Sequence, residues 1–115
     1  MKVRMALLLS WTLMAGCLGI VDEDNYAEKY SPLFCSKTKE CYRGYYDSEW
    51  ADMNDCIEDV RDQYEDVIDQ MDDNNCDFED KKAKECLLDL SDANCEDYFE
   101  GDATEDCAFN KVWDC

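Results

Sequence analysis

The sequence has no histidine among its 115 residues, and this absence narrows the chemistry that the chain can carry. Histidine is the usual general base, the base of Ser-His and Cys-His nucleophile pairs, and a very common metal ligand. With thirty acidic residues present, a pair of carboxylates is too frequent to identify an acid–base site. We therefore predict a protein that is not an enzyme and that has no cofactor and no metal.

Other signatures are missing as well. The four glycines form no phosphate-binding loop, and no Cys-x-x-Cys pair marks a zinc ribbon or a thioredoxin-type site. Secreted phospholipases need a histidine, and the paired cysteine spacing of saposins is not found. An EF-hand aligned from Asp73 would have Phe78 at its glycine position and Lys84 at its glutamate position. The EF-hand is excluded, and weak calcium binding by the acidic surface stays open as a minor alternative.

Basic residues are scarce, since 11 lysines and arginines face 30 acidic residues for a net charge of −19. Nucleic-acid binding requires clustered basic side chains that displace counterions, so this class of partner is excluded. A protein partner would instead present a basic patch to this surface. The oligomeric state stays open.

The first sixteen residues have the order of a secretory signal peptide. Lys2 and Arg4 precede an apolar run from Met5 to Met14, and the small residues Ala15 and Gly16 follow. The run is too short for a transmembrane helix, which needs about 20 apolar residues. Residues 1–16 are therefore predicted to be a leader that directs export.

The segment Leu13–Cys17 resembles the bacterial lipobox, with Met14 at the position where leucine is commonest. The resemblance implies cleavage before Cys17 and a lipid on that cysteine, which would anchor the protein in a membrane. Leu18 follows where an aspartate would suggest inner-membrane retention, so the outer membrane is favoured. The alternative is a plain signal peptide cut near Gly16 or Gly19, which would give a freely secreted, ligand- or toxin-like factor.

Nine cysteines are an odd number for an exported protein. A lipid on Cys17 leaves eight, which suffice for four disulfides. Removal of Cys17 with a longer signal peptide also leaves eight, so the cysteine count does not separate the two alternatives. The eight are Cys35, Cys41, Cys56, Cys76, Cys86, Cys95, Cys107 and Cys115. A small exported domain with this many cysteines is typical of a disulfide scaffold. We predict an acidic tether at 17–24 and a cysteine-rich helical domain at 25–115.

Apolar residues at alternating spacings of three and four predict a helix at 48–73, capped by Asp47 or Ser48. The stripe is Trp50, Met53, Ile57, Val60, Tyr64, Val67 and Met71.

An earlier helical segment contains Pro32, which would either kink one helix or begin a second one capped by Ser31. Gly44 is its expected stop. A third helix is predicted with Asp77 as its candidate cap and with Ala83, Cys86, Leu87 and Leu90 on one face.

No alternating strand pattern is found. The fold class is therefore all-α: a small disulfide-stabilised bundle of three main helices with short C-terminal helical turns.

The hairpin of the first two helices brings Cys35 level with Cys56, so this is the best predicted disulfide. Cys41 lies near the turn of this hairpin. If the chain folds back again at the next turn, near residue 75, Cys95 comes towards the same end, so a Cys41–Cys95 disulfide is possible. Cys76 and Cys86 would then pair with Cys107 and Cys115 in an order that the sequence leaves open.

The segment CYRGYYDSEW clusters four aromatic residues at one turn, namely Tyr42, Tyr45, Tyr46 and Trp50. Such a cluster more often closes the end of a small bundle, and the alternative is a partner-binding tip.

The order of the cysteines resembles that of small, acidic, cysteine-rich lipoproteins of myxobacteria and related bacteria. The matching features are AEKY…FC…EC, then CDFEDKKAKECLLDL, then NC…C…C, and they cover most of the chain after the leader. The resemblance implies a location in the cell envelope and implies no particular activity.

Overall fold

The computed structural model describes residues 19–115. The predicted leader at 1–16 and the lipidation site Cys17 lie outside the described residues. The helices are α1 (Glu23–Cys41), α2 (Arg43–Glu49), α3 (Met53–Asp73), α4 (Asp80–Asp92), α5 (Cys95–Glu100), α6 (Asp102–Glu105) and α7 (Phe109–Val112). Two strands of two residues each, β1 (Asp77–Phe78) and β2 (Trp113–Asp114), complete this part of the chain. The predicted all-α, disulfide-stabilised class is confirmed.

Helix α1 begins earlier than the sequence suggested. The Asp22 carboxylate accepts the backbone N–H of Asn25 at 2.9 Å, and the Asn25 side chain accepts the backbone N–H of Asp22 at 3.0 Å. This reciprocal cap satisfies two helix-terminal donors. Val21, which precedes the cap, is buried. Residues 21–24 therefore belong to the packed body, so packing begins ahead of residue 25, where the tether predicted at 17–24 was expected to end.

Pro32 lies inside α1, and the helix continues through it. Proline lacks the N–H that would bond to the carbonyl four residues earlier. The buried hydroxyl of Ser31 donates to the Ala27 carbonyl at 2.6 Å. Of the two alternatives for this segment, the structure has the single helix, and Ser31 does not cap a second one. The expected stop at Gly44 is wrong, because α1 ends at Cys41 and Gly44 lies within α2.

The helix predicted at 48–73 is broken between Glu49 and Met53. The cap is Asp52, whose carboxylate accepts the Asp55 N–H at 2.9 Å, and not Asp47 or Ser48. Trp50 has an extended backbone, with φ −133° and ψ 145°. This extended turn separates α2 from α3, and the Trp50 side chain within it is buried. The heptad pattern could not show this break, because Trp50 fits the apolar stripe in either conformation.

Helices α1 and α3 form an antiparallel pair. Cys35 is bonded to Cys56, while Tyr30, earlier in α1, stacks on Tyr64, later in α3, with ring centroids 4.2 Å apart. Offset stacking is a favourable arrangement for aromatic rings. The predicted hairpin is therefore present, with α2 and the extended turn as its connection.

Tyr26 lies at the centre of the core and is fully buried. Its ring contacts four others, those of Tyr30, Tyr64, Phe78 and Trp113, at centroid distances between 5.5 and 6.2 Å. Its hydroxyl lies 3.2 Å from the Cys86 sulfur. Because that sulfur is in a disulfide, the hydroxyl is the donor.

The predicted apolar face of α4 is confirmed, since Ala83, Cys86, Leu87 and Leu90 are all fully buried. Asp77 is not the cap of this helix, because it lies in β1. Strand β1 pairs antiparallel with β2, with Phe78 opposite Trp113. These strands could not be predicted, because two residues are too few to show an alternating pattern.

Four disulfides join the elements. Cys35–Cys56 links α1 to α3, and Cys41–Cys95 links α1 to α5, as the hairpin geometry predicted. The order left open is now given: Cys76 pairs with Cys115, and Cys86 pairs with Cys107. A disulfide in a small domain typically contributes about 2–4 kcal/mol to stability. Four bridges therefore supply much of the stability that a small hydrophobic core cannot supply.

We expect Tyr26→Ala to lower the free energy of unfolding by roughly 3–5 kcal/mol, since it empties the centre of the aromatic core. Tyr26→Phe keeps the ring and loses one buried hydrogen bond, so its loss should be about 1 kcal/mol. Urea unfolding without reductant measures both. Tyr45→Ala is the control, because that side chain is 54% exposed. Equal losses in the three variants would contradict the central role of Tyr26.

Candidate functional site

The four aromatic residues of the predicted tip fall into two pairs. Tyr46 and Trp50 are 4% and 9% exposed and close the end of the core. Tyr42 and Tyr45 are 41% and 54% exposed. Each alternative from the sequence therefore describes two of the four residues: one pair is a core plug, and the other pair is a surface.

The buried pair supports the exposed one. The Trp50 indole N–H donates to the Asp59 carboxylate at 2.9 Å, which fixes the ring against α3. The Tyr45 ring meets Trp50 edge to face at 5.8 Å. Tyr45 is thus held in place by a ring that is itself anchored.

Tyr42 and Tyr45 line an open cavity of about 300 Å³, which we call the aromatic groove. Its walls are Phe34, Thr38, Tyr42, Tyr45 and Tyr98. At its floor, the buried hydroxyls of Thr38 and Tyr98 are hydrogen-bonded at 3.0 Å. All five side chains are aromatic or carry a hydroxyl, so the groove offers ring faces and no charge of its own.

Phe99 extends this surface. It is 54% exposed, and its ring meets Tyr42 edge to face at 4.6 Å. Three exposed rings therefore lie together, whereas single exposed apolar residues are common on any protein and need no explanation.

A second cavity of about 250 Å³ adjoins the groove and shares Phe34 and Tyr45 with it. Two carboxylates, Glu49 and Asp59, are among its lining residues, so we call it the acidic cavity. Asp59 accepts hydrogen bonds from Trp50 and, at 3.1 Å, from the Gln63 amide. Aromatic faces and negative charge are thus adjacent on one surface.

The Cys41–Cys95 disulfide sets the position of the groove walls. Tyr42 directly follows Cys41, and Tyr98 lies about one helical turn after Cys95. The bridge therefore holds the end of α1 against α5 where the two walls meet.

Sequence reasoning found Tyr42 and Tyr45 and missed Phe34, Thr38, Tyr98 and Phe99. One wall had a detectable signal, because Phe34, Thr38 and Tyr42 recur every four residues along one helix face. Tyr98 and Phe99 had none, since their place in the groove depends on a contact with a segment more than fifty residues away.

Glu40, Cys41 and Cys95 form a cluster of potential metal-ligand atoms within 4.8 Å of one another in the described part of the chain. The two sulfurs are bonded to each other. Metal ligation by cysteine requires a thiolate, so this cluster fits a disulfide and not a metal centre.

Burial raises the pKa of Tyr98, and its hydrogen bond with Thr38 acts in the opposite direction. Burial also raises the pKa of Tyr30 and of Tyr64. Tyr30, Tyr64 and Tyr98 therefore stay neutral phenols at physiological pH, and their rings and hydroxyls remain uncharged around the two cavities.

Among the carboxyl groups with a shifted pKa, Asp89 has the largest shift. A hydrogen bond with Asp106 raises its pKa to about 6, with smaller contributions from burial and from the charges of Asp106, Glu85 and Asp92. The pair joins α4 to the segment after α6, and the Lys111 ammonium lies 3.8 Å from Asp106. Neither aspartate lines the aromatic groove or the acidic cavity.

Compared with protein-family models, curated proteins and solved structures, the chain matches none of them. The myxobacterial resemblance therefore stays a prediction. In the described residues, no helix has both the length and the apolar character to cross a membrane.

The Asp89–Asp106 pair predicts that stability increases as pH falls. A carboxyl group whose folded pKa is raised binds its proton more tightly in the folded state. Its contribution is complete below the ordinary value of 3.8 and is lost as pH rises through about 6. Asp89→Asn should therefore flatten the change in urea midpoint between about pH 5 and pH 7.5, because the amide donates to Asp106 at either pH. Asp66→Asn, an exposed aspartate on α3, controls for the general loss of one negative charge. An unchanged slope in Asp89→Asn would contradict proton sharing.

Proposed function

We propose that this protein is a non-catalytic interaction module of the bacterial cell envelope, anchored by a lipid on Cys17. Its partner is a protein that presents a basic segment. The observation that carries the proposal is the aromatic groove with the acidic cavity beside it, both held on a disulfide-linked frame. The aromatic groove places exposed rings together, and the acidic cavity beside it adds the carboxylates of Glu49 and Asp59.

The cysteines support the location. Four disulfides indicate an oxidising compartment outside the cytoplasm. They use all eight cysteines from Cys35 to Cys115, so Cys17 is the one cysteine that this framework does not need. A lipobox cysteine without a disulfide partner in the domain is what a lipid anchor requires. By analogy with the residue after the lipidated cysteine, Leu18 favours the outer membrane.

A basic segment suits the two cavities for two reasons. Arginine and lysine bind over aromatic faces, at about 0.5–1 kcal/mol when exposed and about 2 kcal/mol when desolvated. Their aliphatic stems would cover the rings of Tyr42 and Tyr45, while Glu49 and Asp59 attract the charged ends. The net charge of −19 would also speed the approach of a cationic partner and repel an anionic one.

The anchor is tested first, with the wild-type chain and a Cys17→Ser variant expressed in a bacterium that processes lipoproteins. We expect the wild-type protein in the membrane fraction, with an intact mass that corresponds to a lipidated chain beginning at Cys17. Alkylation without prior reduction should add nothing, because eight cysteines are bridged and the ninth is acylated. The variant should leave the membrane fraction.

An unlipidated wild-type chain in the medium would overturn the anchor and favour the freely secreted factor. Free thiols in the domain would contradict the four-disulfide framework on which the groove depends.

The groove is tested by calorimetric titration with a blocked tetra-arginine peptide and with a tetra-lysine peptide of equal charge. We expect tetra-arginine to bind more tightly, because guanidinium groups stack on rings. Tyr45→Ala should weaken its binding by about tenfold, which corresponds to about 1.4 kcal/mol. Leu88→Ala is the control, since it removes an apolar side chain that is 43% exposed on α4.

A charge-matched pair completes this test. Glu49→Gln should weaken binding more than Glu79→Gln, although each removes one negative charge, because only Glu49 lines the acidic cavity. Equal effects in this pair, together with an indifferent Tyr45→Ala, would mean non-specific attraction to an acidic surface and would overturn the proposed site.

A further inference from the structure

The walls of the aromatic groove present ring faces and few hydrogen-bonding groups. The rings of Tyr42 and Tyr98 have centroids 5.6 Å apart and planes inclined at 57°, so they form a corner and not a flat stack. The hydroxyls of Thr38 and Tyr98 are already hydrogen-bonded to each other. The five described residues that line the groove include no carboxylate and no ammonium. A group that enters the groove therefore contacts rings and finds few acceptors for an N–H donor.

The segments that carry these walls are acidic. Residues 34–50 and 95–100 contain three basic side chains and twice as many carboxylates. The six carboxylates are those of Glu40, Asp47, Glu49, Glu96, Asp97 and Glu100. The acidic cavity beside the groove adds a further carboxylate, that of Asp59 on α3. The surroundings of the groove therefore attract a cation.

The three basic side chains of these segments are engaged within the fold. The Lys37 ammonium donates to a backbone carbonyl between α4 and α5. The Arg43 guanidinium lies 3.3 Å from the Asp47 carboxylate. The Lys39 ammonium lies over the ring of Tyr46, 5.8 Å from its centroid. The positive charge of this end of the molecule is thus already directed at other groups.

The contact of Lys39 with Tyr46 shows that a ring at this end of the molecule can accept a cation over its face. Within residues 19–115, no basic side chain covers Tyr42 or Tyr45 in this way. These two rings are 41% and 54% exposed. They are therefore open to a cation from another molecule.

A cation without N–H donors suits the groove better than one that has them. A primary ammonium is strongly hydrated and brings three donors, and burying donors without acceptors costs free energy. A quaternary ammonium has carbon substituents alone, so it leaves water with no donor unsatisfied. It is attracted to ring faces by the cation–π interaction. Scarce acceptors and acidic surroundings together favour this class of cation.

From these observations we propose that the aromatic groove binds a quaternary ammonium group, carried as an N-trimethylated lysine by the basic segment of the partner. This inference rests on the proposed basic partner and names the side chain that enters the groove. Arginine residues of the same segment would bind at the acidic cavity, where Glu49 and Asp59 supply carboxylates.

The charge around the groove decides between sources of a quaternary ammonium. Phosphocholine and betaine each have an anionic group close to the cation, and the carboxylates near the groove would repel that group. A trimethylated lysine keeps its positive charge and adds no anion. The protein-borne group is therefore the one that fits this surface.

The test is a calorimetric titration of the full chain, with its disulfides intact, by three blocked peptides Arg-Gly-X-Gly-Arg. X is lysine, trimethyllysine, or an uncharged analogue in which carbon replaces the trimethylated nitrogen. We expect the trimethyllysine peptide to bind about fivefold more tightly than the lysine peptide, although the two have equal charge. It should also bind more tightly than the uncharged analogue, which has the same shape and no cation.

Two substitutions at one position provide the matched control. Tyr45→Ala should reduce the preference for trimethyllysine over lysine to less than about twofold, because a wall of the groove is lost. Tyr45→Phe keeps the ring and should keep the preference. Circular dichroism checks that both variants are folded.

A second pair of ligands tests the source of the cation. Choline should bind more tightly than phosphocholine, which has the same trimethylammonium group and an added phosphate. Tighter binding of phosphocholine would overturn the assignment to a protein-borne group.

The outcomes separate this inference from the proposed function. Equal affinity for the lysine and trimethyllysine peptides would overturn the quaternary ammonium site and leave the basic partner standing. Equal affinity for trimethyllysine and its uncharged analogue would mean a purely apolar groove and would overturn the site as well. If none of the three peptides binds, both proposals are overturned.

Discussion

The attachment of helix α1 to its neighbours is the constraint on which the rest of the structure depends. Two disulfides leave this helix, one to α3 through Cys56 and one to α5 through Cys95. Between them and the helix start, Tyr26 joins the aromatic core and donates to the Cys86 sulfur. A chain of this size has little apolar surface to bury. Covalent bridges from one long helix therefore do much of what a larger core would do.

The negative charge shapes how that small core is used. A net charge of −19 opposes compaction through self-repulsion. Some carboxylates accept hydrogen bonds from groups within the fold. Asp59 accepts the Trp50 indole N–H, and Asp22 accepts a backbone N–H at the start of α1. Where two carboxyls meet, at Asp89 and Asp106, the hydrogen bond between them raises the pKa of Asp89. Most of the others lie on exposed helix faces, where water screens them.

The same helix also separates two different surfaces. Its start lies beside the cavity that Ile20, Val21 and Lys84 help to line, and its end reaches the aromatic groove. The helix has 19 residues, so its two ends are about 28 Å apart. The Cys41–Cys95 disulfide constrains the groove end of this helix. A constrained groove would lose little conformational entropy when a ligand binds.

The sequence by itself determined the helical class, because apolar spacing of three and four needs no tertiary information, and the face of α4 followed from it. It also pointed to Cys35–Cys56, since the antiparallel hairpin makes these cysteines level, and it left Cys41–Cys95 as one option that the structure has. Tertiary packing decided the rest. Trp50 lies in an extended turn between α2 and α3 with its ring in the core cluster, and Val21, ahead of α1, belongs to the same cluster. The aromatic groove joins Tyr42 to Tyr98 across more than fifty residues, and no local pattern records such a contact, because side chains that are distant in sequence meet only once the helices have packed.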